Sequence, residues 1–140
     1  MSDAEIPSIT YRGNCHCGLV KLSATLPDIR RGKVVSCNCS ICTKNGYLFV
    51  YPKVGDVVMH SGEDSLTSYR FGGAKKQHKF CSVCGTSILI DFSEAEREIE
   101  RTVTAINLRT FVDIEDMMSE LNLVNVDGKR RLQPPYQVPM

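Results

Sequence analysis

Apolar and polar positions alternate in short bursts along most of this chain. The clearest burst is Val20-Lys21-Leu22-Ser23-Ala24-Thr25-Leu26, which puts Val20, Leu22, Ala24 and Leu26 on one face of an extended strand. Runs rich in β-branched and aromatic residues predict strands at Ser8–Arg12, Leu19–Leu26, Lys33–Ser36, Tyr47–Tyr51 and Val57–Ser61. Further strands are predicted at Leu66–Phe71, Lys76–Phe80, Ser87–Phe92 and Thr102–Ala105. Pro27-Asp28, Gly55-Asp56, Ser61-Gly62 and Gly72-Gly73 break the runs at turns. Helix is sparse: one turn over Ile41–Asn45, capped by Ser40 and ending near Gly46, a charged turn or short helix over Ser93–Arg101, and a turn within Val112–Leu121. The proline-bearing stretch from Gln133 to Pro139 reads as an extended strap or frayed end. Many short strands at close spacing predict a mainly β fold of short antiparallel strands with few helical turns.

Composition sets outer bounds. A chain of 140 residues fits one domain with a sizeable core. A formal net charge of +1, with no basic block longer than Lys129-Arg130-Arg131, argues against nucleic acid as the partner. No apolar run is long enough to span a bilayer as a helix. The opening MSDAEIPSIT is polar and acidic, unlike a secretory leader, so a reducing, cytoplasmic setting is expected, with the nucleus the other option.

The chemistry lies in seven cysteines, grouped as Cys15-x-Cys17, Cys37-x-Cys39-x-x-Cys42 and Cys81-x-x-Cys84. An odd count cannot pair fully within the chain, and residues two apart make poor disulfides. Metal ligation fits better. Structural zinc takes four thiolates, whereas reactive zinc takes three protein ligands and keeps one position open. The two pairs together supply four thiols, and the triplet supplies three. Gly85 after the second pair, and Gly13 and Gly18 around the first, would allow the sharp turns such ligation needs. His16, His60 and His78 could each close the triplet, but surface or core positions suit them better, with His78 the one to watch beside the open metal.

The order of these clusters carries a resemblance. Gly13-Asn14-Cys15-His16-Cys17-Gly18, Cys37-Asn38-Cys39-Ser40-Ile41-Cys42 and Phe80-Cys81-Ser82-Val83-Cys84-Gly85-Thr86 are similar to the motifs of the glutathione-dependent formaldehyde-activating family, which also includes centromere protein V. Supporting marks are Ser61-Gly62, Leu66, Tyr69-Arg70-Phe71 and Ala105-Ile106-Asn107-Leu108-Arg109. The resemblance implies a β-tent fold over residues 8–130, between an N-terminal tail at 1–7 and an extended tail at 131–140. It implies two Zn2+ per chain, with Cys15, Cys17, Cys81 and Cys84 on a structural zinc and Cys37, Cys39 and Cys42 on a catalytic one.

The implied activity is that of a carbon–sulfur lyase, making or breaking adducts of an aldehyde with glutathione or a related small thiol. The other reading is a non-catalytic, zinc-stabilised interaction module like centromere protein V, weakened here because no long basic extension precedes the domain. Glutathione would need cations for its carboxylates, and Lys44, Arg70, Lys75 and Lys76 lie close in sequence to the cysteines. Ser40 and Thr43 could donate hydrogen bonds beside the sulfur, and Phe49 and Tyr51 could wall a pocket. The sequence leaves the oligomeric state open.

Overall fold

A computed structural model describes residues 5–140 of the protein; residues 1–4 of the expected N-terminal tail lie outside the described residues. The strands are β1 (Ser8–Asn14), β2 (Lys21–Pro27), β3 (Val34–Cys37), β4 (Phe49–Val50), β5 (Val57–Ser61), β6 (Leu66–Tyr69), β7 (Gln77–Cys81), β8 (Ser87–Asp91), β9 (Ala105–Asn107) and β10 (Leu123–Val126). Two short helices, α1 (Ser40–Asn45) and α2 (Gly128–Arg131), and several single 3-10 turns complete the described residues. Strands β1, β2 and β5 form an antiparallel three-stranded sheet in that order. The other seven form a sheet in the order β10-β3-β4-β9-β8-β7-β6.

The larger sheet is apolar on both faces, and this organises the molecule. Val34, Val50, Leu89 and Ile106 face a core shared with Val20, Leu22, Ala24 and Leu26 of the β1–β2 hairpin, as the alternation in that hairpin predicts. Their immediate neighbours Val35, Phe49, Ile90 and Ala105 belong to a second core with Tyr47 and Phe92. Adjacent strand residues point to opposite faces, so the two cores lie on either side of one sheet. Each core contains cysteines. Cys15 and Cys81 belong to the first, Cys39 and Cys42 to the second.

The mainly β fold with few helical turns follows the sequence pattern, with local departures. Strand β10 was not predicted, and it pairs parallel to β3 (Val34 opposite Leu123, Cys37 opposite Val126), whereas the other strand pairs among the described residues are antiparallel. The ninth strand runs over Ala105–Asn107 rather than Thr102–Ala105, because Ala105 and Ile106 pair with Ile90 and Leu89 while Thr102 ends a 3-10 turn. Helix α1 ends at Gly46 as expected, but Ser40 is its first residue rather than its cap. Cys39 occupies the cap position in extended conformation and makes no side-chain cap bond.

Candidate metal centres

Two hairpin ends meet to make the four-cysteine cluster. The chain reverses after Cys15, where the Gly18 N–H donates to the Cys15 carbonyl, and again after Cys81, where the Gly85 N–H donates to the Cys81 carbonyl. Gly18 and Gly85 take φ values of 80° and 79°, the left-handed region that the turns demand and that side chains resist. Gly13 has a different role: it lies in β1, where a Cβ would come within 3.1 Å of the Thr110 carbonyl oxygen.

The ligand atoms of Cys15, Cys17, Cys81 and Cys84 all lie within 4.8 Å of one another. Cys15 Sγ is 3.6 Å from Cys17 Sγ, which is 3.8 Å from Cys81 Sγ. With zinc–sulfur bonds of about 2.3 Å, the edges of a tetrahedral four-sulfur site are about 3.8 Å. The spacing fits a zinc ion. The second test is charge. The N–H of Val20 donates to Cys15 Sγ at 3.2 Å, and those of Val83 and Cys84 donate to Cys81 Sγ at 3.4 and 3.5 Å. Thr86 Oγ1 accepts from the His16 N–H, so its own proton is directed to Cys84 Sγ at 3.2 Å. That bond, with backbone donors, draws the Cys84 thiol down to about 5. Cys15 and Cys81 are fully buried. Buried sulfurs ringed by donors suit thiolates held on a cation.

The three-cysteine cluster forms on the other face of the large sheet, where β3 passes into α1. Cys37 ends the strand, Cys39 caps the helix and Cys42 is its buried residue, three positions on and so on the same helix face. Their sulfurs also lie within 4.8 Å of one another. Among the described residues no histidine, aspartate or glutamate joins them. The Cys39 N–H donates to Cys37 Sγ at 3.4 Å. A hydrogen bond from the Cys42 thiol is the main force drawing Cys39 down to about 5, and the same bond together with burial pushes Cys42 strongly up. One proton is thus shared between two nearly buried sulfurs, and both cannot ionise without a positive charge between them. This donor set fits zinc as well.

The structure separates the three histidines. His16 is exposed, with its N–H on Thr86. His60 Nε2 is 2.9 Å from Ser23 Oγ in the small sheet. His78 is buried, with Nδ1 3.4 Å from Tyr47 Oη and its ring 5.3 Å from that of Phe71. Burial, aided by the charge of Lys76, pulls His78 down to about 4. It belongs to an aromatic wall in which Tyr47 and Phe49 stand 4.4 Å apart, and Phe49 and Tyr51 6.2 Å apart. The crowding of the Tyr51 hydroxyl first, and then the charge of Cys42, Cys37 and Cys39, raises that phenol's pKa, although the residue as a whole is 43% exposed. The wall therefore runs from the triplet to the surface.

The predicted cations divide into two groups. Arg70 pairs with Glu94 at 2.9 Å, Lys75 with Glu96 at 3.1 Å and Lys76 with Glu100 at 3.0 Å. Lys44, in the last turn of α1, is exposed and enters no ion pair among the described residues. Two clefts, of about 130 and 390 Å3, have no cysteine in their walls.

Sequence reasoning missed the strap formed by β10 and α2. Asn38, between Cys37 and Cys39, donates from its N–H to the Val126 carbonyl and from Nδ2 to Asp127, and accepts from the Lys129 N–H. Gly128 then lies so close to the triplet that a Cβ there would sit 2.5 Å from Cys37 Sγ and 3.1 Å from Cys39 Cβ. The signal present was Asp127-Gly128, a turn dipeptide just after the apolar Leu123-Val124.

These features define a class: a two-sheet β protein with one complete and one incomplete cysteine cluster, each able to hold zinc. Residues 10–123 match the family described as glutathione-dependent formaldehyde-activating enzyme, and the chain belongs to that family. It is also similar to a crystal structure of a Rhodobacter sphaeroides protein, a structural genomics target, at 25% identity and a TM-score of 0.63. The match covers 81% of this chain and 99% of the other. Among the described residues no helix is long and apolar enough to cross a membrane.

Proposed function

We propose that this protein is a zinc-dependent carbon–sulfur lyase acting on adducts of an aldehyde with glutathione or a related small thiol. The observation that carries the reading is the unequal sharing of sulfur. Four thiols converge in one cluster and three in the other, with no further metal-binding side chain beside the three among the described residues. On this reading Cys15, Cys17, Cys81 and Cys84 hold a structural zinc, and Cys37, Cys39 and Cys42 hold a second in the site of reaction. Zinc bound there would lower the pKa of an incoming thiol and favour its thiolate, the nucleophilic form.

In the forward direction the substrate sulfur forms a bond to the aldehyde carbon. The proton lost from sulfur is balanced by the one gained at the aldehyde oxygen. The reverse direction breaks that carbon–sulfur bond and returns thiol and aldehyde. Cys37, Cys39 and Cys42 fix where the sulfur sits, and helix α1 makes their placement rigid. The aromatic wall of Tyr47, Phe49 and Tyr51 keeps water from one side. Lys44 is available to a substrate carboxylate, whereas Arg70, Lys75 and Lys76 reach one only by leaving their glutamates. Seven free thiols suit the reducing conditions of the cytoplasm.

The test is to load the protein with zinc and supply a panel of S-hydroxymethyl thiol adducts, following released formaldehyde. Turnover that disappears in Cys42→Ala supports the reading. A broad panel without turnover by the wild type contradicts it.

A further inference from the structure

The basic turn Lys129-Arg130-Arg131, unremarkable in the sequence, is carried by the strap to the rim of the three-cysteine cluster. Three observations place it there. Strand β10 pairs with β3 up to Val126 opposite Cys37. Asn38 clasps the following turn on both sides, through Asp127 and the Lys129 N–H. Gly128 abuts Cys37 Sγ and Cys39 Cβ. In a helical turn, residues three apart share a face. By this spacing Arg131 lies next to the Gly128 side of α2, the side turned to the cysteines, where Leu132 Cδ1 also packs, 3.5 Å from where a Gly128 Cβ would sit.

Charge separates the residues of this turn. Arg130 is engaged by Asp127 at 3.4 Å. Lys129 and Arg131 are exposed and make no ion pair among the described residues. Arg70, Lys75 and Lys76 are paired with glutamates, and Arg109 donates its Nε–H to the Gly46 carbonyl. A guanidinium with no ion pair or side-chain hydrogen bond among the described residues, one helical turn from the glycine that abuts Cys37 Sγ, matches a carboxylate in both charge and shape.

We propose that Arg131, assisted by Lys129, binds a carboxylate of the thiol substrate and so selects anionic thiols over neutral ones. The inference rests on the thiol-adduct reading of the same site and assigns its specificity. Gly128 serves as a positioning residue, since only a bare backbone brings this turn so close to Cys37.

Binding of glutathione and of its diethyl ester to the zinc-loaded protein, measured by calorimetry, tests the assignment. Both ligands carry the same thiol, and only the first carries carboxylates. Wild type is expected to bind glutathione about tenfold to hundredfold more tightly, the range of one charge-assisted contact. Lys129→Ala with Arg131→Ala should abolish that preference while leaving the ester's affinity unchanged. Arg131→Gln alone should remove most of it, and Arg131→Lys should restore part. Zinc content equal to wild type shows that the clusters are intact in each variant. A preference that survives the double substitution, equal binding of both ligands by wild type, or no binding of glutathione overturns the proposal. Formaldehyde release is scored separately. Absence of bond cleavage alongside an intact carboxylate preference sinks the lyase reading and spares this one.

Discussion

The two cysteine clusters sit on opposite faces of the same seven-stranded sheet, built from the same side chain, and differ in how the chain reaches them. The four-cysteine cluster joins turns that lie 64 residues apart, at Cys17 and Cys81, and its inner sulfurs are sealed in the larger core. The three-cysteine cluster comes from six consecutive residues at one strand-to-helix junction and is overlaid by a strap from the far end of the domain. A site that ties distant segments stabilises the fold. One that uses a single local segment contributes little chain closure, and on the proposed reading its missing ligand is left for chemistry. The contrast teaches that two clusters of one residue type can differ in both the number of ligands and the sequence distance between them, the two quantities on which the proposed division into staple and working site rests.

Substitutions can break that contrast, and the largest effect should come from the staple. Cys81→Ser is expected to cost most of the fold, because a structural zinc contributes on the order of 10 kcal/mol to folding. Loss of the cooperative thermal transition, followed by circular dichroism, is the check. Cys39→Ser should leave that transition largely in place, remove one of two zinc equivalents and abolish turnover. If Cys39→Ser unfolds as badly as Cys81→Ser, the division of labour is wrong.

How much of this was legible in the sequence depends on the distance over which each feature is encoded. The β2 alternation is local, and Val20, Leu22, Ala24 and Leu26 are all buried as the period of two requires. The cysteine spacing is also local, and the sulfurs of each predicted group converge. Strand β10 is four residues long and half-exposed, and its partner β3 lies some ninety positions away, so no periodicity signalled it. The ion pairs of Arg70, Lys75 and Lys76 were equally hidden, because they depend on how the loop between β6 and β7 meets the Glu94–Glu100 segment. Ser40 looked like a cap by residue type, but the cap position went to Cys39, whose side chain belongs to the cluster.

The strap supplies an intermediate effect. Gly128→Ala would place a methyl 2.5 Å from Cys37 Sγ, so β10 and α2 must shift. A destabilisation of about 1–3 kcal/mol is expected from such overpacking, with weaker zinc retention at the triplet and unchanged retention at the four-cysteine site. Competition with a chromophoric chelator, resolving two release phases, measures this directly. If both phases accelerate equally, the strap does not belong to one cluster.

The smallest effect concerns acid. His78 titrates at about 4 in the fold against an ordinary 6.5, because burial disfavours its charged form. Between those values the unfolded chain binds a proton that the folded protein refuses. Stability from this source is therefore complete above 6.5 and declines as pH falls towards 4. His78→Gln should remove that slope, leaving the acid sensitivity of the thiolates and, at the acidic end, of Asp28, Asp91 and Asp127, whose carboxyls are held below the ordinary value. Denaturation midpoints of wild type and variant, compared across the window, should converge at the acidic end. Parallel profiles would show that the aromatic wall adds nothing to the pH response.

X-ray absorption at the zinc edge tests the unequal sharing of sulfur most directly. In protein carrying two zinc ions, the average should be about 3.5 sulfurs per zinc, the mean of a four-sulfur and a three-sulfur site, rising to about four when glutathione is added. An average of four before any thiol is added, or one that does not change with glutathione, would contradict it.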